Sequence, residues 1–252
     1  KLVELIDNDI LNENDNKYIN NYLLESIINF QLEVEPENIP MITRMLSSKL
    51  FYLPNGQALK LHSNINMNEG NYLFNLVVKN NMVRLLEVGF AYGVSAMFMT
   101  KGLENNKLKN DKEKYQLVSI DPFQSTQWHN LGLNNLKRIG TLELHKLYEQ
   151  KSLNALPFLL KEKKKKYDLI FIDGWHTFDY ALVDLFYATF LIRQNGYLIL
   201  DDALHPGVNK LIKYIDTNYT GFLKKITNGP KTFGIYVKEG DDKRQWNYHV
   251  DF

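Results

Sequence analysis

Cysteine is absent from this chain of 252 residues, which excludes disulfides and thiolate metal sites. Any metal it binds must be held by oxygen or imidazole, and a reducing, cytoplasmic setting fits. A charge of one sign is missing too: 30 Lys+Arg stand against 29 Asp+Glu, a net charge of +1. No global field draws nucleic acid or an anionic membrane, so partners must be recognised locally. Long apolar runs are also lacking. The longest apolar helix candidate, Tyr180–Ile192, carries Asp184 and is too short and too polar to span a bilayer, so the expectation is a soluble protein. There is no internal repeat, and the one low-complexity patch is Lys161-Glu162-Lys163-Lys164-Lys165-Lys166. Without interleaved aromatics it reads as a solvated loop rather than a nucleic-acid contact. The sequence opens on Lys1 rather than Met, which leaves room for a natural N-terminal extension.

What is present suffices for one domain, or one domain with an appendage: 44% of residues are hydrophobic and 13% aromatic. Up to about Asn80 the pattern is helical, with periodicity at Tyr18–Phe30, Ile42–Leu50 and Glu69–Val78 and a break at Pro54-Asn55-Gly56. We read residues 1–80 as a helical cap or lid. From residue 81 to 252 β-type apolar runs alternate with amphipathic helices: Val83–Val88, Gln116–Ile120, Leu142–Leu147, Asp168–Ile172 and Tyr197–Leu200. Such alternation predicts an α/β fold with a parallel, doubly wound sheet. Near the end Phe222–Ile226 and Phe233–Val237 flank Asn228-Gly229-Pro230, a turn compatible with an antiparallel hairpin.

Chemistry is carried where the strands stop. Leu85-Leu86-Glu87-Val88-Gly89-Phe90-Ala91-Tyr92-Gly93-Val94-Ser95 is an apolar strand that runs through an acid into two glycines and then a helix. Such a turn brings backbone N–H groups close to a ligand at the carboxyl edge of an α/β sheet. The next strand ends in Asp121, placed to accept both ribose hydroxyls of an adenosyl cofactor; a dinucleotide fold uses an acid there as well. The glycines discriminate, because Gly89-Phe90-Ala91-Tyr92-Gly93 lacks the closely set pair of Gly-x-Gly-x-x-Gly that admits a pyrophosphate. S-adenosylmethionine, which has no pyrophosphate, suits the looser turn.

Two further apolar strands empty into acids, at Asp173-Gly174-Trp175-His176 and at Asp201-Asp202-Ala203-Leu204-His205. If those strands are neighbours, Asp173, Asp201 and Asp202 converge, and a hard divalent cation such as Mg²⁺, Ca²⁺ or Mn²⁺ relieves their repulsion. The cation would also ease deprotonation of a substrate hydroxyl aimed at the sulfonium methyl. The competing structural reading makes these acids helix caps. His176 is placed to act as general base. His205 is an alternative ligand or substrate contact, and His62, His129, His145 and His249 have no such company.

In these motifs the span from about Asn66 to Val237 resembles class I S-adenosylmethionine-dependent O-methyltransferases, in particular the metal-dependent group of catechol, caffeoyl-CoA and macrocin enzymes. Asn68-Glu69-Gly70-Asn71-Tyr72-Leu73 is similar to that group's helix entry. Glu87, Gly89 and Gly93 fall on its cofactor turn, and Asp121 on its ribose acid. His176 stands where the catechol enzyme has its catalytic Lys, as in the macrocin branch, and Asp201-Asp202 is nearer to that sugar-modifying branch than to the Asp-Asn of the others. The run from Ile120 to Trp128, with Gly132-Leu133-Asn134-Asn135-Leu136 after it, also resembles a set of bacterial methyltransferases.

The resemblance implies a mostly parallel seven-stranded Rossmann-like sheet, with the cofactor strand beside the Asp173 strand. It implies cofactor contacts from Met67, Asn68, Glu87, Gly89, Gly93, Ser95, Asp121, Ser152 and Asp173, with adenine near Gln150, Lys151 and Ser152. The metal would be held by Asp173, Asp201 and Asp202, with Asp173 and His176 at the chemistry. The helical residues ahead of Asn80 would form a lid or a surface for a homo-oligomer. The expected activity is methyl transfer from S-adenosylmethionine to a sugar hydroxyl, helped by Mg²⁺ or a similar cation. A catechol-like acceptor, a metal-free enzyme acting on nitrogen or RNA, and a non-enzymatic adenosyl-binding module remain alternatives.

Overall fold

The computed structural model describes residues 39–52, 58–162 and 166–252. The expected helix at Tyr18–Phe30, the break at Pro54-Asn55-Gly56 and Lys163–Lys165 of the lysine run lie outside these residues. The chain divides into two units, Lys1–Ser63 and Asn64–Phe252. In the first, helix α1 (Ile39–Ser48) is followed by an antiparallel pair, β1 (Leu50–Tyr52) and β2 (Ala58–Lys60). The helix expected to end at Leu50 stops at Ser48, because Lys49 turns to a left-handed φ of 50°.

The second unit opens with α2 (Met67–Lys79). Asn66 starts it through a capping box: Glu69 N donates to Asn66 Oδ1 at 3.1 Å, and Asn66 N to Glu69 Oε2 at 2.7 Å. Its apolar residues Leu73, Phe74 and Val77 are buried, and α2 packs on α3 (Val94–Lys109). Asn106 Nδ2 joins this layer to the chain entering the sheet by donating to Val77 O and Met82 O, both at 3.0 Å.

Seven strands form the central sheet: β3 (Arg84–Val88), β4 (Gln116–Ile120), β5 (His145–Tyr148), β6 (Tyr167–Ile172), β7 (Ile192–Leu200), β8 (Leu223–Ile226) and β9 (Gly234–Lys238). Their order is β5-β4-β3-β6-β7-β9-β8, parallel from β5 to β7 and antiparallel at β9 on both sides. The chain winds outward through β3, β4 and β5, then returns to place β6 on the other side of β3. That reversal opens a crevice at the carboxyl ends of β3 and β6, where ligands of such folds bind.

Helices α4 (Leu131–Arg138), α5 (Ser152–Lys161), α6 (Phe178–Leu191) and α7 (Pro206–Asn218) complete the unit. One sheet face, with Leu86, Val88, Ile170, Ile172, Leu198 and Leu200, shares a core with Leu156 of α5, Leu185 of α6 and Leu211 of α7. Burial on both faces explains why the parallel strands read as unbroken apolar runs. The doubly wound sheet and the closing hairpin match the sequence expectation.

Boundaries differ where a second structure imitates a strand. Leu142–Leu144 is a 3₁₀ turn, with Leu144 N donating to Thr141 O at 3.0 Å, and only His145–Tyr148 extends. Strand β7 begins at Ile192, opposite Tyr167, and regains register only at Tyr197 opposite Leu169. The left-handed Asn195, at φ 58°, lies within the interruption.

Candidate active site

The parallel ladder continues one hydrogen bond beyond each strand, and this extension aligns the site. Asp121 N donates to Tyr148 O at 3.1 Å, Gly89 N to Ile120 O at 2.9 Å, Asp173 N to Val88 O at 2.8 Å and Asp201 N to Ile172 O at 2.9 Å. Each strand thus delivers its first residue past the sheet to the same edge.

The turn after β3 is held from within. Gly89 has φ 89°, and a Cβ there would lie 1.9 Å from the Asp173 carbonyl oxygen. Glycine is required here by the closeness of the β6 backbone as well as by the left-handed conformation. Three N–H groups that follow Gly89 are already engaged: Phe90 N and Ala91 N donate to Asp121 Oδ2 at 3.1 and 2.7 Å, and Gly93 N to Phe90 O at 2.6 Å. Phe123 N donates to Asp121 Oδ1 at 2.8 Å. The sequence reading had these amides facing a ligand; instead they spend their hydrogen bonds on Asp121 and the local chain. Three of the roughly four acceptor positions of a carboxylate are filled. Asp121 therefore has room for about one further donor, not for both hydroxyls of a ribose.

Glu87 is wholly buried beneath this turn. It accepts from the Ser95 hydroxyl and, at 2.6 Å, from the Ser119 hydroxyl. Burial pushes its carboxyl up to about 7, against the pull of those two bonds. Ser119 Oγ also lies 2.9 Å from His145 Nε2, and the His145 ring stacks on Phe90 with centroids 4.7 Å apart. Desolvation holds that imidazole down at about 4. Sequence reasoning left His145 unassigned; it belongs to a buried network supporting the turn, set by the β4–β5 register rather than by any local motif.

Adjacency of β6 and β7 brings Asp173, Asp201 and Asp202 together, with one oxygen of each within 4.8 Å of the others. Burial and the neighbouring acids Glu87 and Asp202 push Asp173 well above the ordinary carboxylate range. Burial and Asp173 push Asp201 up to about 9. These acids are not caps: the N-cap positions of α6 and α7 are Thr177 and His205. His176 Nε2 stands 3.4 Å from Asp173 Oδ1 and 3.2 Å from Asp202 Oδ2, yet this buried nitrogen meets neither in hydrogen-bond geometry. Converging carboxylates, two of them held toward neutrality, beside an orphaned imidazole nitrogen form a donor set that fits a divalent cation.

The remaining expected contacts are spread along the same edge. Ser152, the first residue of α5, is bonded to Asp184, a buried α6 acid whose carboxyl burial pushes up to about 6. Gln150 and Lys151 are exposed between β5 and α5. Met67 and Asn68 begin α2. The next residue, Glu69, accepts from the Thr232 hydroxyl, and Thr232 O accepts from Ala203 N at 2.8 Å, which ties the start of α2 to the segment just past the acids.

A family profile described as "Methyltransferase domain" matches residues 86–203. This stretch is similar to a methyltransferase domain. The matched stretch runs from β3 to Ala203 and takes in the glycine turn, Asp121, His176 and all three clustered acids. Among curated proteins no sequence matches the chain significantly.

Solved structures share the fold. The O-methyltransferase TomG of Streptomyces achromogenes, in complex with SAM, is 19% identical with a TM-score of 0.62, over 85% of this chain and 95% of that one. An O-methyltransferase from Bacillus cereus in complex with SAH is 16% identical with a TM-score of 0.63, over 86% and 97%. The SAH-bound methyltransferase PaMTH1 of Podospora anserina is 15% identical with a TM-score of 0.61, over 92% and 99%.

Proposed function

We propose that the chain transfers a methyl group from S-adenosylmethionine to a hydroxyl oxygen of a sugar, with a divalent cation held by Asp173, Asp201 and Asp202. The carrying observation is the pairing of a glycine turn whose Gly89, Phe90, Ala91 and Gly93 amides are already engaged with an acid cluster one strand away. A pyrophosphate needs free amides at such a turn, and a sulfonium cofactor does not. This favours S-adenosylmethionine over a dinucleotide, and the neighbours described with SAM or SAH support it.

In this reading Asp121 takes one ribose hydroxyl with its remaining acceptor position while fixing the turn. Gly89, Gly93 and the Glu87–Ser95 pair shape the floor under the amino-acid part of the cofactor. Gln150, Lys151 and Ser152 border the adenine, and Met67 and Asn68, at the start of α2, contact the cofactor. When bound, Mg²⁺ or a similar cation offsets the charge of the acids and lowers the pKa of a hydroxyl presented to it. His176 Nε2 takes the hydroxyl proton. The oxygen then forms its bond to the methyl carbon as the carbon–sulfur bond breaks, and S-adenosylhomocysteine leaves. Most of the acceleration comes from lining up oxygen, carbon and sulfur.

Trp175, 63% exposed beside Asp173 and His176, supports a sugar acceptor, since an indole offers a flat apolar face to the C–H side of a ring. Labelled methyl transfer to a panel of nucleotide sugars, glycosides and catechols tests the reading. We expect transfer to a sugar, lost with EDTA and with Asp201→Asn. Transfer that survives both would remove the cation, and transfer to catechols alone would remove the sugar.

A further inference from the structure

We propose that the outward face of α6 is a contact between two copies of this chain, which pair antiparallel about a two-fold axis to form a dimer. The inference stands apart from the cofactor and cation readings.

Helix α6, Phe178-Asp179-Tyr180-Ala181-Leu182-Val183-Asp184-Leu185-Phe186-Tyr187-Ala188-Thr189-Phe190-Leu191, contains no Lys, Arg or Glu. A helix lying on a sheet normally turns charged residues outward. Here the inward side takes Ala181, Leu185, Ala188 and Leu191, and it buries Asp184 and Thr189 as well. Outward stand Tyr180, Val183, Phe186 and Phe190, exposed by 40, 41, 49 and 44%, with half-buried Tyr187 among them. Steps of three, three and four residues keep them on one stripe about 15 Å long. Phe186 meets Phe190 edge to face at 5.1 Å and Tyr187 at 5.5 Å, so these rings form one continuous apolar surface. Isolated exposed rings are ordinary, whereas a contiguous group marks a contact.

Charge decides what the contact is with. At the N-terminal end of the stripe stands Asp179, the one exposed charge of the helix, its carboxyl held below the ordinary range by the Thr177 hydroxyl. At the other end the exposed Lys166 donates to the Phe190 carbonyl, which uses one of its three N–H donors. An antiparallel copy centred level with residue 185 sets Tyr180 against the partner's Phe190 and Val183 against the partner's Tyr187. The same operation brings Asp179 to the partner's Lys166 and the partner's Asp179 to Lys166, so both ends are neutralised together. An anionic membrane would attract Lys166 and repel Asp179. Because the same patch meets itself, the contact closes at two copies.

The size is also that of a dimer contact. At about 200 Å² per aromatic side chain, Tyr180, Phe186 and Phe190 leave about 250–300 Å² in the open. A stable dimer buries about 800 Å² per partner around such an apolar centre. Helix α6 packs on α5 and on α7, which frame it in one layer. Their exposed Asn154, Lys161, Lys213 and Asp216 supply the polar rim.

Sedimentation velocity of the full chain across the micromolar range tests this. We expect a reversible monomer–dimer equilibrium. Phe186→Glu sets two like charges near the axis and should weaken the dimer about tenfold or more. Val183→Glu, a second variant on the same stripe, should do the same, with circular dichroism checking the fold of each. Asp179→Lys and Lys166→Asp each create two like-charge contacts and should weaken the dimer about threefold to tenfold, and their combination should restore it to within about twofold. A parent that stays monomeric throughout, or a dimer untouched by Phe186→Glu and Val183→Glu, would overturn the proposal. So would a monomer that binds phosphatidylserine vesicles and loses them in Phe186→Glu, because the occupant would then be a membrane. A dimer broken by both Glu variants yet not restored by the double charge swap would overturn the antiparallel pairing.

Discussion

Glu87→Gln should remove most of one pH dependence of stability while keeping the shape of the turn. In the unfolded chain the Glu87 carboxyl titrates near 4.5, and in the folded protein burial raises it to about 7. Between those values the folded state holds the extra proton, so the contribution is full below about 4.5 and is lost as pH rises through about 7. The span of about 2.5 pKa units corresponds to about 3 kcal/mol, of which about 2–3 kcal/mol falls between pH 5 and pH 8. Gln carries no titrating proton, and the Ser95 and Ser119 hydroxyls can turn to meet its amide. Asp184 and Asp201, also raised by burial, drift in the same direction. His145, lowered to about 4, acts oppositely, losing stability as pH falls from about 6.5 toward 4. These contributions are common to both proteins and cancel in the difference. Urea unfolding of parent and variant at half-unit pH steps should show the variant gaining about 2–3 kcal/mol on the parent from pH 5 to pH 8. Parallel stability curves would refute the reasoning, because Glu87 would then titrate alike in the folded and unfolded chain.

Three substitutions and one control probe other parts of the edge. Gly89→Ala puts a methyl group 1.9 Å from the Asp173 carbonyl oxygen and should cost on the order of 3 kcal/mol or more in thermal or urea unfolding. Gly140→Ala, also at positive φ but with nothing within 4 Å, should cost only about 1 kcal/mol and serves as the control. Asp121→Asn turns an amide N–H₂ toward backbone donors and should lose about 1–3 kcal/mol while weakening S-adenosylhomocysteine binding in calorimetry. His176→Gln should lower kcat by about 10²–10⁴-fold and leave S-adenosylhomocysteine affinity unchanged, which rapid-quench assays and calorimetry separate.

The carboxyl edge of the sheet was legible because parallel strands buried on both faces end abruptly. Runs such as Phe171-Ile172 and Leu198-Ile199-Leu200 pass at once into Asp173 and into Asp201-Asp202. The hairpin was legible from its turn residues. Leu142–Leu144 was not, because Leu and Glu alternate there as in a strand while the chain closes a 3₁₀ turn. Ile192 follows an apolar helix with no breaking residue, so the start of β7 is invisible in composition. The roles of His145 and Asp184 come from partners across the sheet and between helices, at sequence distances no local pattern encodes. The reading of Asp121 needed the largest revision: its position was legible, but its commitment to Phe90, Ala91 and Phe123 amides depends on the shape of the turn.

The central claim is that this turn and the acid beside it hold S-adenosylmethionine rather than a dinucleotide. Isothermal titration of the full chain with S-adenosylhomocysteine and, separately, with NAD tests it most directly. The account predicts one saturable site for S-adenosylhomocysteine, weakened in Asp121→Asn, and no measurable heat with NAD. Tight NAD binding, or S-adenosylhomocysteine binding indifferent to Asp121→Asn, would contradict it.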